Sequence, residues 1–236
     1  MKEVFFSDYL QKKAKKNLVA CVAWAVIALV LLLAGISTGT AFILMSGLIV
    51  VVVALFIAAT RGPAYVTYRC GIRGEQALRA HLLSSGLNDE HTAYYNLPLN
   101  DNGKASDIDC ILVGPSGLFV LEVKHHKGLI LHRNGVWARI KAGRRGTLYQ
   151  GQLGDPSGQL HRNIRKLKEL LGKDLWFNGA VVFTNPRAVL DVEGLRWVKA
   201  VTVKDLKQIF SGRAILSAKQ IEKINARLSA SAKKVI

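Results

Sequence analysis

Asp107-Ile108-Asp109 opens one apolar run, Leu121-Glu122-Val123-Lys124 closes the next, and Gly114-Pro115-Ser116-Gly117 lies between them. Two apolar runs joined by such a turn predict a β-hairpin with acids and a lysine at its open end. With the turn centred between Pro115 and Ser116, paired residue numbers sum to 231, which sets Asp109 opposite Glu122 and Asp107 opposite Lys124. Side chains alternate along a strand, so all four share one face. Opposed Cβ atoms stand roughly 4.5 to 5.5 Å apart, a spacing at which two carboxylates repel unless positive charge lies between them. A divalent cation meets that demand, and Lys124 beside it can orient a water or steady charge developing on a phosphate. The same residues also fit a solvated strand face with an Asp107–Lys124 cross-strand ion pair.

Several elements must position this hairpin. Residues 74–85 carry Leu78, Leu82 and Leu83 at helical spacing, with Glu75 in the first turn and Gly86 as a stop. Residues 92–99 are strand-like. Asn134-Gly135 predicts a tight turn in a second hairpin over 128–141, and the glycine-rich stretch 142–158, with Arg144-Arg145, reads as a mobile loop. From Gln159 to Leu171 the stripe Leu160, Ile164, Leu167 and Leu171 predicts an amphipathic helix, with His161, Arg162, Arg165, Lys166 and Lys168 on its remaining surface. Strands are expected at 180–184, closed by Asn185-Pro186, and at 195–203. Ser217 and Gln220 form a capping box, with Leu216 and Ile221 as its hydrophobic staple, for a last helix. That order implies an α/β core around a mixed sheet.

Upstream, residues 18–36 and 41–59 are two runs of nineteen residues without a charge, each about 28 Å long as a helix. The short uncharged link Ser37-Thr38-Gly39-Thr40 predicts a transmembrane helical hairpin, ended by Arg61-Gly62-Pro63. Lysines 12, 13, 15 and 16 precede it and Arg61, Arg69 and Arg73 follow, so the positive-inside rule puts both termini in the cytoplasm of a multi-pass inner-membrane protein. A signal peptide would explain the first run but not the second. The expected organisation is a basic, surface-lying lead over 1–17, the hairpin over 18–60, a linker over 61–70, a catalytic-type domain over 71–203 and a helical segment over 204–236.

Five lysines and two acids precede Arg61, so the rest of the chain holds 28 basic against 14 acidic side chains. Nucleic acid and the anionic inner leaflet are the two partners that such an excess suits. Three cysteines, none in a metal-ligand spacing, indicate neither a zinc site nor a disulfide framework.

The acid followed by acid-x-lysine resembles the PD-(D/E)xK nuclease motif. More closely, the chain resembles the nuclease-related domain family, NERD, through Gly74-Glu75, Asp107-Ile-Asp109, Gly114-Pro115-Ser116-Gly117, Glu122-Val123-Lys124 with Gly128, Trp137, and Asp155-Pro156 leading to Gln159. The resemblance covers about 71–185 and implies a restriction-endonuclease-like mixed sheet flanked by helices. It also implies that Glu75, Asp109 and Glu122 surround Mg2+ or Mn2+, with Asp109, Glu122, Lys124 and Gln159 as the catalytic group. Family members often carry histidine where this chain has Cys110, which the strand alternation turns away from Asp109 toward packing. His125 and His126 are read as non-ligands.

The expected activity is metal-dependent phosphodiester hydrolysis, of DNA in preference to RNA. Arg144, Arg145, Arg162, Arg165 and Lys166 are the candidate phosphate contacts. The alternatives are an inactive nuclease-fold module that binds nucleic acid, and a basic domain that docks on anionic lipid and recruits a protein.

Overall fold

The computed structural model describes residues 1–101, 104–143, 145–151, 153–172 and 175–233, so Arg144 lies outside the described residues. The chain divides into two units, Asp8–Ile72 on the one hand, and Met1–Ser7 with Arg73–Ile236 on the other.

The first unit holds helix α1, Tyr9–Thr38, and most of helix α2, Ala41–Ser84. Gly39 ends α1 in the left-handed conformation, φ 65°, and turns the chain into α2. Both helices are long and apolar enough to cross a membrane. Their apolar side chains are not a soluble core: Phe42 is 81% and Phe56 69% exposed. Small residues let the two backbones close up, since a Cβ on Gly35 would stand 2.8 Å from the backbone nitrogen of Leu44. Arg61-Gly62-Pro63 does not end the second helix, which runs on to Ser84 with Pro63 inside it. A proline removes one intrahelical bond, a local cost that the long run of partners on either side outweighs.

In the second unit, β1 (Lys2–Phe5), β2 (Thr92–Asp101), β3 (Lys104–Gly114), β4 (Gly117–Lys124), β8 (Phe177–Phe183) and β10 (Val198–Thr202) form a mixed six-stranded sheet in the order β1-β2-β3-β4-β8-β10. A second sheet, in the order β7-β6-β5-β9, contains β5 (Gly128–Arg133), β6 (Val136–Ala142), β7 (Leu148–Gly151) and β9 (Ala188–Val192). The remaining helices are α3 (Pro156–Leu171), α4 (Leu206–Phe210) and α5 (Ala218–Lys233). This is the expected α/β architecture of a mixed sheet flanked by helices.

Strand alternation divides the core into two layers. Ile111, Val113, Val120, Val181 and Phe183 meet Leu160, Leu167 and Leu171 of α3 and Ile224 and Leu228 of α5 on one face. Cys110, Leu112, Phe119, Leu121 and Val182 meet Leu78 and Leu82 of α2 and Phe210 on the other. Cys110 is fully buried there, in the packing role expected of it.

Two expectations about local structure are corrected. The first residues of the lead are not a surface-lying segment: Lys2–Phe5 add a parallel edge strand to β2. Residues 148–151 form a strand inside the supposed loop, and 188–192 form one that was not expected. The C-terminal segment belongs to the same unit as the sheet, with the Ser217–Gln220 capping box formed as expected, Gln220 Oε1 accepting from the Ser217 backbone at 2.9 Å.

Candidate active site

The hairpin register is the expected one. Gly114 pairs with Gly117 and Cys110 with Leu121, all summing to 231. The β3–β4 ladder stops there, one pair short of Asp109 and Glu122. Beyond it β3 continues beside β2, and β4 beside β8 as far as Lys124–Phe183. The strands therefore part just where the acids emerge, and the side chains take over the unpaired backbone: the Val123 N–H donates to Asp109 Oδ2 at 2.6 Å. Lys124 consequently does not pair with Asp107. Its ammonium donates to Glu122 Oε1 at 2.7 Å and to Gln159 Oε1 at 3.2 Å.

Gln159 is carried by the first turn of α3, whose start is strongly held. Asp155 caps it by accepting from the Gly158 N–H at 2.8 Å and from the Ser157 hydroxyl at 2.8 Å, and Pro156 takes the position that needs no donor. Trp137 Nε1 on β6 donates to Ser157 Oγ at 2.9 Å, tying the helix start to the second sheet. A Cβ on Gly158 would overlap the capping carboxylate, so any other residue here displaces the cap. The Trp137, Asp155-Pro156 and Gln159 features of the sequence thus form one support for Lys124.

Glu75 arrives from the opposite layer. Gly74 packs against Val123, His125 and Thr184, and a Cβ on it would stand 3.0 to 3.2 Å from their side chains, so glycine lets α2 lie this close to the end of β4 without displacing them. Glu75 is mid-helix rather than in a first turn, because α2 is continuous through it. Its carboxylate accepts from Asn96 Nδ2 at 3.1 Å. Asn96 is a site residue that sequence reasoning missed. It sits at φ 55° in β2, between the Tyr95–Cys110 and Leu97–Ile108 pairs, and also donates to the Ser7 carbonyl at 3.2 Å. The available signal was a lone amide in an apolar strand, of the residue type that best tolerates the left-handed region.

The electrostatics are those of crowded acids. Burial pushes Glu75 up to about 7, against the Asn96 hydrogen bond, with Asp109 and Asp107 adding to the rise. Burial raises Asp109 against the Val123 N–H and Lys124, and burial followed by the charge of Asp109 raises Glu122, which is only 1% exposed. Asp107 is raised by burial as well. Lys124 and, less strongly, the exposed Arg162 on α3 are the cations that Glu122 feels.

Among the described residues, no three His, Cys, Asp or Glu side chains are grouped closely enough to hold a metal ion as they stand. The donor chemistry nonetheless suits a hard divalent cation: carboxylate oxygens, mutually repelling, with a single ammonium between the strand acids and the helix. His125 meets Thr184 and His126 meets Arg139, so neither histidine turns to the acids. Of the expected phosphate contacts, Arg162, Arg165 and Lys166 all lie on α3 and Arg145 is exposed ahead of β7.

Residues 71–184 match the family described as the nuclease-related domain, NERD. The chain carries a nuclease-related domain. All five of Glu75, Asp109, Glu122, Lys124 and Gln159 fall within its bounds. A curated relative, "Probable kinase PglW" of Streptomyces coelicolor, is 32% identical over 121 residues, a match that covers 48% of this chain. The same match covers 7% of that protein's length. No solved structure matches the chain significantly. What the family contributes is a nuclease-like module, and the NERD segment of this chain presents its acids and lysine at one end of the sheet.

Proposed function

We propose that the protein is a membrane-anchored nuclease that hydrolyses phosphodiester bonds, DNA being the favoured substrate, with Mg2+ or Mn2+ as its cofactor. The observation that carries this reading is the convergence of Asp109, Glu122, Lys124 and Gln159 at the parting of β3 and β4. Glu75, Asp109 and Glu122 would hold the ion. Bound there, it supplies Lewis-acid polarisation of a phosphate oxygen and a lowered pKa for water.

The chain's own groups do the rest. The Val123 N–H fixes one Asp109 oxygen and leaves the other to face the site, and Asn96 does the same for Glu75. Gln159 holds Lys124 from the helix side, so the ammonium is positioned without being neutralised by a second carboxylate. Such a cation lowers the energy of charge building on a phosphate, an effect worth about 100- to 1000-fold in rate for a single preorganised donor. The basic residues that precede the first apolar run and follow the second support a domain on the cytoplasmic side, where anionic lipid would also be within its reach.

The test is cleavage of DNA by the full chain in detergent or nanodiscs with Mg2+ or Mn2+, beside Lys124→Met. Cutting that needs the ion and falls at least about 100-fold in the variant supports the proposal. Ion-independent cutting would overturn the metal's part in the reading, and no cutting by a folded wild-type protein that still binds DNA would leave the inactive binding module as the better reading.

A further inference from the structure

A second group of cations lies beside the acids, on the inner face of the second sheet. Along β6 the residues Trp137, Arg139 and Lys141 alternate onto that face, opposite His132, Ile130 and the β7 positions. Trp137 and Ile130 are buried, so the face is apolar at one end and turns basic toward the other. Arg139 donates to His126 Nδ1 at 2.6 Å, which leaves that imidazole neutral and acting as a bracket. Gly151 is the residue paired with Arg139 across β6 and β7. A side chain on it would press on Arg139 Nη2 and Nε at 3.3 and 3.4 Å and on Lys141 Cε at 3.4 Å. The arginine head group therefore occupies a space kept open by a glycine.

None of the ion pairs among the described residues includes Arg139, Lys141 or Lys127. Arg139 Nε is buried without a hydrogen-bond partner, a state that costs free energy unless a ligand completes it. Lys141 lies over the Tyr149 ring, 5.7 Å from its centre, which steers the ammonium without neutralising it. The groups that His126 feels are burial, Arg139, Lys124, Lys141 and His125, all cationic or uncharged. Lys124 being among them ties the cluster to the acid site.

We propose that Arg139 and Lys141, with His126 positioning the guanidinium, form a phosphate-binding subsite that grips the nucleic-acid backbone next to the bond cut at Asp109, Glu122 and Lys124. Arginine suits the role because its planar fork can donate two parallel bonds to one phosphate, and Lys127 adds charge at the rim. The subsite rests on the nuclease reading for its substrate, yet it concerns grip rather than cutting, so the two can fail separately.

The test is binding of a short fluorescein-labelled DNA duplex by the full chain in detergent, followed by anisotropy over a range of salt with no divalent ion present. Lys141→Gln and Arg139→Gln should each lower the slope of log affinity against log salt by about one, uniformly across sequences. Arg139→Lys should restore part of the charge effect and not the full affinity. Lys141 is the next-to-last residue of β6, where the strand ends, so its variant decides the matter if the Arg139 variants fail to fold. Unchanged slopes in folded Lys141→Gln overturn the subsite, whether or not the wild type cuts DNA. So does absence of DNA binding together with Lys141-dependent flotation on phosphatidylserine vesicles, which would assign these cations to lipid headgroups. Wild-type binding with the expected slope change but no cutting upholds the subsite and rejects only the catalytic reading.

Discussion

Glu75→Gln isolates the charge crowding at the site. Glutamine keeps an oxygen for Asn96 to donate to, and removes the charge that burial, Asp109 and Asp107 all disfavour. The wild-type carboxyl titrates at 4.5 when free and at about 7 in the fold, so the folded state binds the extra proton. Its stability is complete below pH 4.5 and declines as pH rises through about 7. At 1.36 kcal/mol per pH unit that interval amounts to roughly 3 kcal/mol, and the solvent that reaches Glu75 screens it to about 2 kcal/mol. Without divalent ions, Glu75→Gln should therefore melt later than wild type by about 4 to 8 °C at pH 8, and no later at pH 5. The melt is read from tryptophan fluorescence of the full chain in detergent. Adding Mn2+ should shrink the gap by stabilising the wild type alone. Destabilisation of the variant at pH 8, or an equal gain at both pH values, would refute the reasoning.

Gly158→Ala forces the Asp155 carboxylate off the helix start, so it should cost about 1 kcal/mol in denaturant unfolding and lower cleavage, while DNA affinity without metal holds. Gly74→Ala pushes α2 away from Val123 and Thr184. It should cost about 1 to 3 kcal/mol and reduce Mn2+ affinity through Glu75, whereas Gly62→Ala, with open space around it, should do neither. Because the acids bind an ion only when deprotonated, the rise in melting temperature given by saturating Mg2+ should grow from pH 6 to pH 8 (about two pH units), and a flat profile would argue against the raised carboxylates as ligands.

Much of the site was legible in the chain because it depends on local rules. The turn at Pro115-Ser116 and a period of two were enough to put Asp109 opposite Glu122, the apolar stripe gave the helix α3, and Gln159 at its start entered through the family resemblance. What escaped was set by partners distant in sequence. Lys2–Phe5 is too short to signal a strand and exists by pairing with residues 92–95. The end of the β3–β4 ladder, which sends Lys124 to Gln159 rather than to Asp107, depends on β8 and β2 drawing the strands apart. Glu75 was found through its motif, although the helix that carries it is continuous from Ala41 and gives it no first-turn character. Asn96 and Arg139 are polar side chains in largely apolar strands, where such a residue reads as exposed until its neighbours are known.

The central claim is that the acids at the parting of β3 and β4 assemble around a divalent cation, and calorimetric titration of Mn2+ into the full chain in nanodiscs tests it most directly. The account predicts saturable binding that is lost in Asp109→Asn and in Glu122→Gln, both still folded, and kept in Arg165→Gln. Binding that survives both acid substitutions, or no binding by a folded wild-type protein at pH 8 (about one pH unit above the Glu75 titration), would contradict it.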